Sequence, residues 1–399
     1  MAVVQDFEIH SRIRGLQELL RQNHIFAVLI QKPKNLYYYS GSGQPANLWV
    51  PAEGDPILFS RRAFTLTKED SSIPNIQMAN SFREMVQYLK EVNGFPAPTH
   101  YIGVETDIVP YNVIKKIKES FLTSNIKNIT NIIMNQRLIK SEYEIQQIRN
   151  AAVLWTKGHE AILKSEPVGK KEYELAALME YEARRNGGDG FVSFHRWDGC
   201  LPGGGIVASQ ENSWIVSGHA MTVTGVGLSP ALPWGASNRT LQTGEMVVFD
   251  YGICKEAYHC DMARTYSIGK ANPKQMDLWK RLVEVHLQVI DQVKPGVTGA
   301  QLYFHALEIV RKIGLEDYFM GVENDRGAYI GHSIGLEIDE WPVIGPKANE
   351  PLEVNSIITL EPKFMIPELG SVMVEDDLLI TPNGYEIIGS VGHELFEIS

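Results

Sequence analysis

Cysteine is almost missing from this chain: three residues in 399, Cys200, Cys254 and Cys260. Three thiols cannot all pair within one molecule, and no Cys-x-x-Cys pair occurs. Free thiols in a reducing cytosol therefore fit best. Long apolar runs are missing too. Nothing approaches the roughly 18 uninterrupted apolar residues of a membrane span. The start, Met1-Ala-Val-Val-Gln-Asp-Phe-Glu, lacks a basic stretch followed by a long apolar segment. These absences predict a cytoplasmic protein with no membrane segment. No stretch is rich in Lys and Arg, and the formal net charge is −11. A phosphate-backbone partner is therefore not expected, so nucleic acid is set aside.

What is present is enough apolar residue, 44%, for a large core and two domains. Residues 6–23 place Ile9, Ile13, Leu16, Leu19 and Leu20 at helical spacing. Strands are expected at Phe26-Ala-Val-Leu-Ile30, Pro56-Ile-Leu-Phe59 and Tyr101-Ile-Gly-Val104, and helices near 83–92 and 110–121. This alternation predicts a small α/β domain over residues 1–135. In the second domain, 136–399, Ser141 with Glu144 three positions on is a capping box that should start a helix. Further helices are expected near 172–186, 273–293 and 298–313, and a hairpin over 245–268. The stretch 187–240 is rich in Gly and Pro, and the last 70 or so residues are strand-rich, so the whole reads as α+β.

Three acids end runs of strand-forming residues: Asp250 after Met-Val-Val-Phe, Glu361 after Ile-Ile-Thr-Leu, and Glu375 after Val-Met-Val. Removing a carboxylate from water costs several kcal/mol unless something compensates. A hairpin through residues 251–260 would return Asp261 towards Asp250. Glu361 and Glu375, fourteen apart, could meet across a second strand pair, and His332 in Gly331-His-Ser-Ile-Gly335 adds a nitrogen donor. Each acid alone could be a strand-end residue with local hydrogen bonds. Together, four carboxylates and an imidazole suit one or two divalent ions: Mn, Co, Fe or Zn. Two such ions would activate a water between them.

The surrounding motifs resemble the creatinase/aminopeptidase P/prolidase superfamily, the pita-bread metallopeptidases, over essentially the whole chain. Val-Phe-Asp250-Tyr-Gly and Asp261-Met-Ala-Arg-Thr265 resemble its two aspartate motifs. Gly331-His-Ser-Ile-Gly-Leu-Glu337, Leu360-Glu-Pro362 and Val374-Glu-Asp376 resemble its remaining ligand motifs. Arg137-Leu-Ile-Lys-Ser-Glu resembles the opening of its catalytic domain, and Lys34-Asn-Leu-Tyr-Tyr-Tyr-Ser-Gly41 a motif of its N-terminal domain. The resemblance implies a pita-bread catalytic domain behind a creatinase-like α/β domain, two divalent metal ions and a homodimer. It implies that Asp250 chelates one ion, His332 and Glu361 bind the other, and Asp261 and Glu375 bridge them. Glu361 would also handle the proton of the attacking water, a metal-held hydroxide that cleaves a C–N bond, with an Xaa-Pro dipeptide or short peptide as substrate.

Three positions depart from that pattern. The superfamily's Pro-His is Pro233-Trp234 here, its second histidine after the Gly-Leu-Glu motif is Asp339, and its Arg two residues before the last glutamate is Met373. Trp234 offers one N–H donor and a broad apolar face, and an ionised Asp339 only accepts. Asp339 could act as a base or pair with a cationic substrate group, so Trp234, Asp339 and Met373 are expected to shape the substrate pocket. A hydrolase or lyase acting on a small cationic or zwitterionic metabolite is thus an alternative, and a non-catalytic peptide- or protein-binding member a second one. His195 and its neighbours Arg196, Trp197 and Asp198 could line a pocket or be a structural loop. His259 could lie near the metals or be structural. His219 could replace a missing histidine.

Overall fold

The computed structural model describes every residue except 1–3, 124, 197–199, 203–204, 218–223, 324 and 368, with 200–202 described by their backbone alone. The chain forms two compact units, residues 1–137 and 138–399.

The smaller unit is a six-stranded sheet in the spatial order 75–78, 57–60, 46–51, 27–30, 102–104, 126–128. Its 27–30 strand is parallel to 102–104 and antiparallel to 46–51. Ala27, Leu29, Trp49, Phe59 and Ile102 form its core with Leu89, Ile117 and Phe121 from helices Phe82–Glu91 and Tyr111–Phe121. The 34–41 motif is a helix, Pro33–Ser40, ended by Gly41 in the left-handed conformation. Its buried Asn35 donates to Glu105 at 2.5 Å and accepts from Arg137 at 2.8 Å. Pattern reading missed this helix because its aromatic triplet carries no 3.6-residue period.

The larger unit is α+β, as expected. One sheet runs 396–398, 258–268, 246–255, 205–209, and a second runs 340–343, 332–333, 357–360, 376–381, 384–388. An isolated bridge between Ala263 and Glu375 ties the two. The capping box at Ser141 starts helix Glu142–Leu163. Helix Pro273–Ile290 begins with Asn272 reciprocally capped by Gln275 and with Pro273 at its first position, and helix Gly299–Lys312 begins with the Thr298/Gln301 pair. Leu282, Val285, Leu302 and Val310 from these two helices pack on Ile358, Leu360, Val372 and Leu378. The buried apolar layer fixes the far side of the second sheet, so its strands hold their register beneath the acidic residues. Lys140, from the segment that opens this unit, is buried and pairs with buried Glu340 at 3.3 Å. Among the described residues no helix is long and apolar enough to cross a membrane.

Candidate metal centre

The expected hairpin consists of strands Met246–Lys255 and Tyr258–Ile268, joined by a two-residue turn in which Glu256 and Ala257 both have positive φ. That geometry matches the twist of adjoining strands. The register sets Asp250 opposite Ala263 and Asp261 opposite Gly252. Asp250 and Asp261 are therefore diagonal neighbours on one face of the ribbon. The bridge from Ala263 brings Glu375 alongside. In the second sheet Leu360 pairs with Asp376, so Glu361 and Glu375, one residue beyond that pair, meet at the strand ends. His332 enters from the adjacent strand. A Cβ on Gly331 would sit 2.1 Å from the Thr359 carbonyl oxygen, so a side chain at that position would force the strands apart.

His332 Nε2 lies 3.8 Å from Asp261 Oδ2 and 3.8 Å from Glu361 Oε1. These separations are too long for hydrogen bonds and suit two donors on one small cation. Nδ1 of the same ring stands 3.1 Å from the Ser333 carbonyl oxygen, which orients Nε2 towards the carboxylates. Donor atoms of Asp261, His332 and Glu375 all fall within 4.8 Å of one another. Asp261 Oδ1 and Glu375 Oε2 are buried with no hydrogen-bond partner. Burial pushes the Asp250 carboxyl up to about 7, with the Glu361 charge adding to the rise and Lys363 and Glu375 opposing it. Burial, then the charges of neighbouring carboxylates, raises Asp261 and Glu375 well above the ordinary range. Buried, mutually repelling carboxylates with orphaned oxygens are what a divalent cation would relieve, so the residues present fit metal.

Beside this cluster, burial first and the Glu337 charge second push Asp339 up to about 6, against the opposing His332 charge. Its Oδ1 accepts from the His195 backbone at 3.4 Å, and His195 Nδ1 is 3.3 Å from Glu337 Oε2. Phe194, the preceding residue, packs edge-on against Trp234 with ring centres 6.1 Å apart. Segment 194–195 thus connects the two departures, Trp234 and Asp339. Met373 is fully buried, with Val248 and Ala263 as its apolar neighbours, and nothing in that packing marks a substrate contact. Both nitrogens of His259 are held by backbone: Nε2 accepts from Ser193 N at 3.1 Å and Nδ1 faces the Gly335 carbonyl at 3.1 Å. It is a structural strap. His219, Trp197 and Asp198 lie outside the described residues.

Sequence reasoning missed Lys363, which is fully buried with Nζ 2.7 Å from Glu361 Oε2. A lone charge opening the apolar run Phe-Met-Ile was the available signal. It also missed Asp377, whose Oδ2 accepts from the Asp261 backbone at 3.1 Å, and Tyr329, whose hydroxyl is raised to about 12 by burial and then by the Glu361 and Asp339 charges.

Comparison with known proteins converges with this geometry. Residues 146–382 match the Metallopeptidase family M24, and residues 12–139 match the Creatinase/Prolidase N-terminal domain. The chain is 30% identical to the Xaa-Pro dipeptidase of Pyrococcus furiosus over 388 residues, 96% of this chain and 99% of that one. It is 29% identical to the Xaa-Pro dipeptidase of Pyrococcus horikoshii over 390 residues, 97% of this chain and 99% of that one. The solved prolidase from Pyrococcus horikoshii superposes with a TM-score of 0.80 at 27% identity, covering 96% of this chain and 99% of that one.

Proposed function

The chain belongs to metallopeptidase family M24 and is a metal-dependent amide hydrolase; from that premise we propose that it cleaves Xaa-Pro dipeptides or short peptides, using two divalent ions of Mn, Co, Fe or Zn. The observation that carries this reading is the convergence of Asp261, His332 and Glu375 donor atoms, with Glu361 3.8 Å from the same imidazole nitrogen. In this proposal Asp250 would hold one ion, His332 and Glu361 the other, and Asp261 and Glu375 would serve both. Such ions, when bound, polarise a carbonyl and acidify water. The protein's own part is positional and protonic. Glu361 accepts the proton of the attacking water on its carboxylate and returns it to the leaving nitrogen. Lys363 and the strand register hold that carboxylate in place. Trp234 and Phe194 form an apolar wall, and half-buried Asp339 receives a substrate ammonium. The similarity of the relatives named Xaa-Pro dipeptidase supports the peptide substrate. Buried Cys254 and Cys260, in a chain with only three cysteines, support a reducing, cytoplasmic setting, and a homodimer is the assembly we propose with it.

Asp339 also favours a second reading, a small cationic or zwitterionic metabolite as substrate, because a half-buried acid at that place selects positive charge. One experiment separates the two. Purified protein is assayed against a panel of Xaa-Pro dipeptides with Mn, Co, Fe and Zn in turn. Turnover at ordinary peptidase rates supports the first reading. Metal binding without turnover of any Xaa-Pro peptide overturns it.

A further inference from the structure

Strands 75–78, 57–60 and 27–30 of the smaller unit end, and 46–51 begins, at one edge of its sheet. Pairing sets Met78 opposite Ser60, Ser60 opposite Ala46, and Leu48 opposite Ile30. Gln31, Asn47 and Arg61 therefore gather at the carboxyl edge of three strands, where an open α/β sheet leaves a crevice for ligands. Helices Phe82–Glu91 and Tyr111–Phe121 add Phe82, Val113 and Lys116, and the enclosed cavity measures about 340 Å³, enough for a small organic molecule. No acidic residue lines it. Arg61 and Lys116 do line it, and neither has an ion-pair partner among the described residues. The amino end of helix Phe82–Glu91 is already occupied, since Glu84 accepts from Asn80 N and from Ser81 Oγ, each at 3.0 Å. An anion is thus drawn to the two side-chain cations rather than to the helix. Asn47 is buried, and its Oδ1 accepts from Gln31 Nε2 at 2.6 Å. Gln31 Oε1 is buried with no hydrogen-bond partner. Such an acceptor costs free energy until a donor meets it, and a ligand N–H would do so. Half-buried Phe82 and Val113 offer a planar ring an apolar face.

We propose that this cleft binds a nucleoside monophosphate, with its phosphate at Arg61 and Lys116, its base against Phe82 and Val113, and a base N–H donating to Gln31 Oε1. A phosphate monoester carries close to two negative charges at neutral pH, which suits two cations and no lining acid. Each common base joins an N–H donor to a flat π-face that stacks on an aromatic ring. A ring bearing a carboxylate brings only one charge, so the dianion fits better. All of these residues belong to the smaller unit, so the proposal holds or fails whatever reaction the metal centre performs.

The test is calorimetric titration of AMP, GMP, CMP and UMP, each alone, into the purified full chain, with inorganic phosphate and the matching nucleosides as controls. At least one nucleotide should bind at one site per chain, about tenfold or more tightly than its nucleoside and than phosphate. R61Q/K116Q, at two exposed positions, should weaken that nucleotide about tenfold or more, because both charges are lost. Q31L should weaken it about three- to tenfold and leave phosphate binding unchanged, because only the base loses a partner. Thermal melting checks that each variant is folded, and R61Q/K116Q decides the outcome should Q31L not be. No binding by any of the four nucleotides overturns the proposal. So does a nucleotide that R61Q/K116Q binds as tightly as wild type, or one held no better than inorganic phosphate. A folded Q31L that binds the nucleotide like wild type overturns the base contact.

Discussion

Arg264 gives the sharpest quantitative expectation. It is 1% exposed, and its guanidinium makes five contacts. Nη2 meets Asp376 Oδ1 and the Val391 carbonyl, each at 2.7 Å. Nε donates to the Gly392 carbonyl at 2.9 Å, and Nη1 to the Glu375 and Ala263 carbonyls at 2.7 and 2.8 Å. Asp376 is itself buried. Burial pushes its carboxyl up, but Arg264 and the hydrogen bonds from His286 and His393 together hold it well below the usual range. Arg264→Met would leave that carboxylate charged and inside. Removing one partner of a buried pair costs about 3–5 kcal/mol. Since His286 and His393 remain as donors at 2.8 and 2.6 Å, the lower end applies, about 3 kcal/mol. For a unit of this size that corresponds to a fall in Tm of about 6–12 °C. Scanning calorimetry near neutral pH measures it. The double variant R264M/D376L should recover much of the loss, because no unpaired charge remains. A fall of less than about 2 °C for R264M would refute the reasoning, and so would a double variant less stable than the single one.

Asp261→Asn keeps the size of the side chain and removes a shared ligand charge, so it should abolish metal uptake and activity while circular dichroism stays unchanged; full activity would remove Asp261 from the site. The double change W234H/D339H should raise turnover of Xaa-Pro dipeptides, read as kcat/KM, and no change would mean that these positions do not limit it. His159 supplies a pH prediction. Burial, then the Arg264 charge, lowers it from 6.5 to about 4, and its Nδ1 lies 2.6 Å from Tyr266 Oη. Above 6.5 the ring is neutral in both states and contributes no pH dependence. As pH falls towards 4 the unfolded chain takes up a proton that the folded chain refuses, so stability declines, and below 4 the loss levels off. Urea unfolding of H159Q across that range should show a flatter profile; an unchanged slope would acquit His159.

The acids of the candidate metal centre were legible because each interrupts a strand pattern with a charge. Period-two alternation and strand pairing then forced the acids to one place: Asp250 and Asp261 across a tight hairpin, Glu361 and Glu375 at paired strand ends. Helices with caps, at Ser141, Asn272 and Thr298, were legible at their starts because a capping side chain is a local signal. Two kinds of feature were not. Lys363 acquires its meaning only from a partner that the fold sets beside it, since a lysine opening a strand is ordinarily at the surface. The contact of His195 with Asp339 and Glu337 crosses some 140 residues of sequence, and no local spacing encodes it. Met373 shows the converse: a substitution read for its lost charge occupies a packed apolar position.

The most direct test of the central claim is the divalent metal content of the purified chain, by inductively coupled plasma mass spectrometry, after dialysis against excess Mn2+ and removal of the free ion. Clustered carboxylates around His332 predict that the chain retains divalent metal. A protein that retains none would contradict the account.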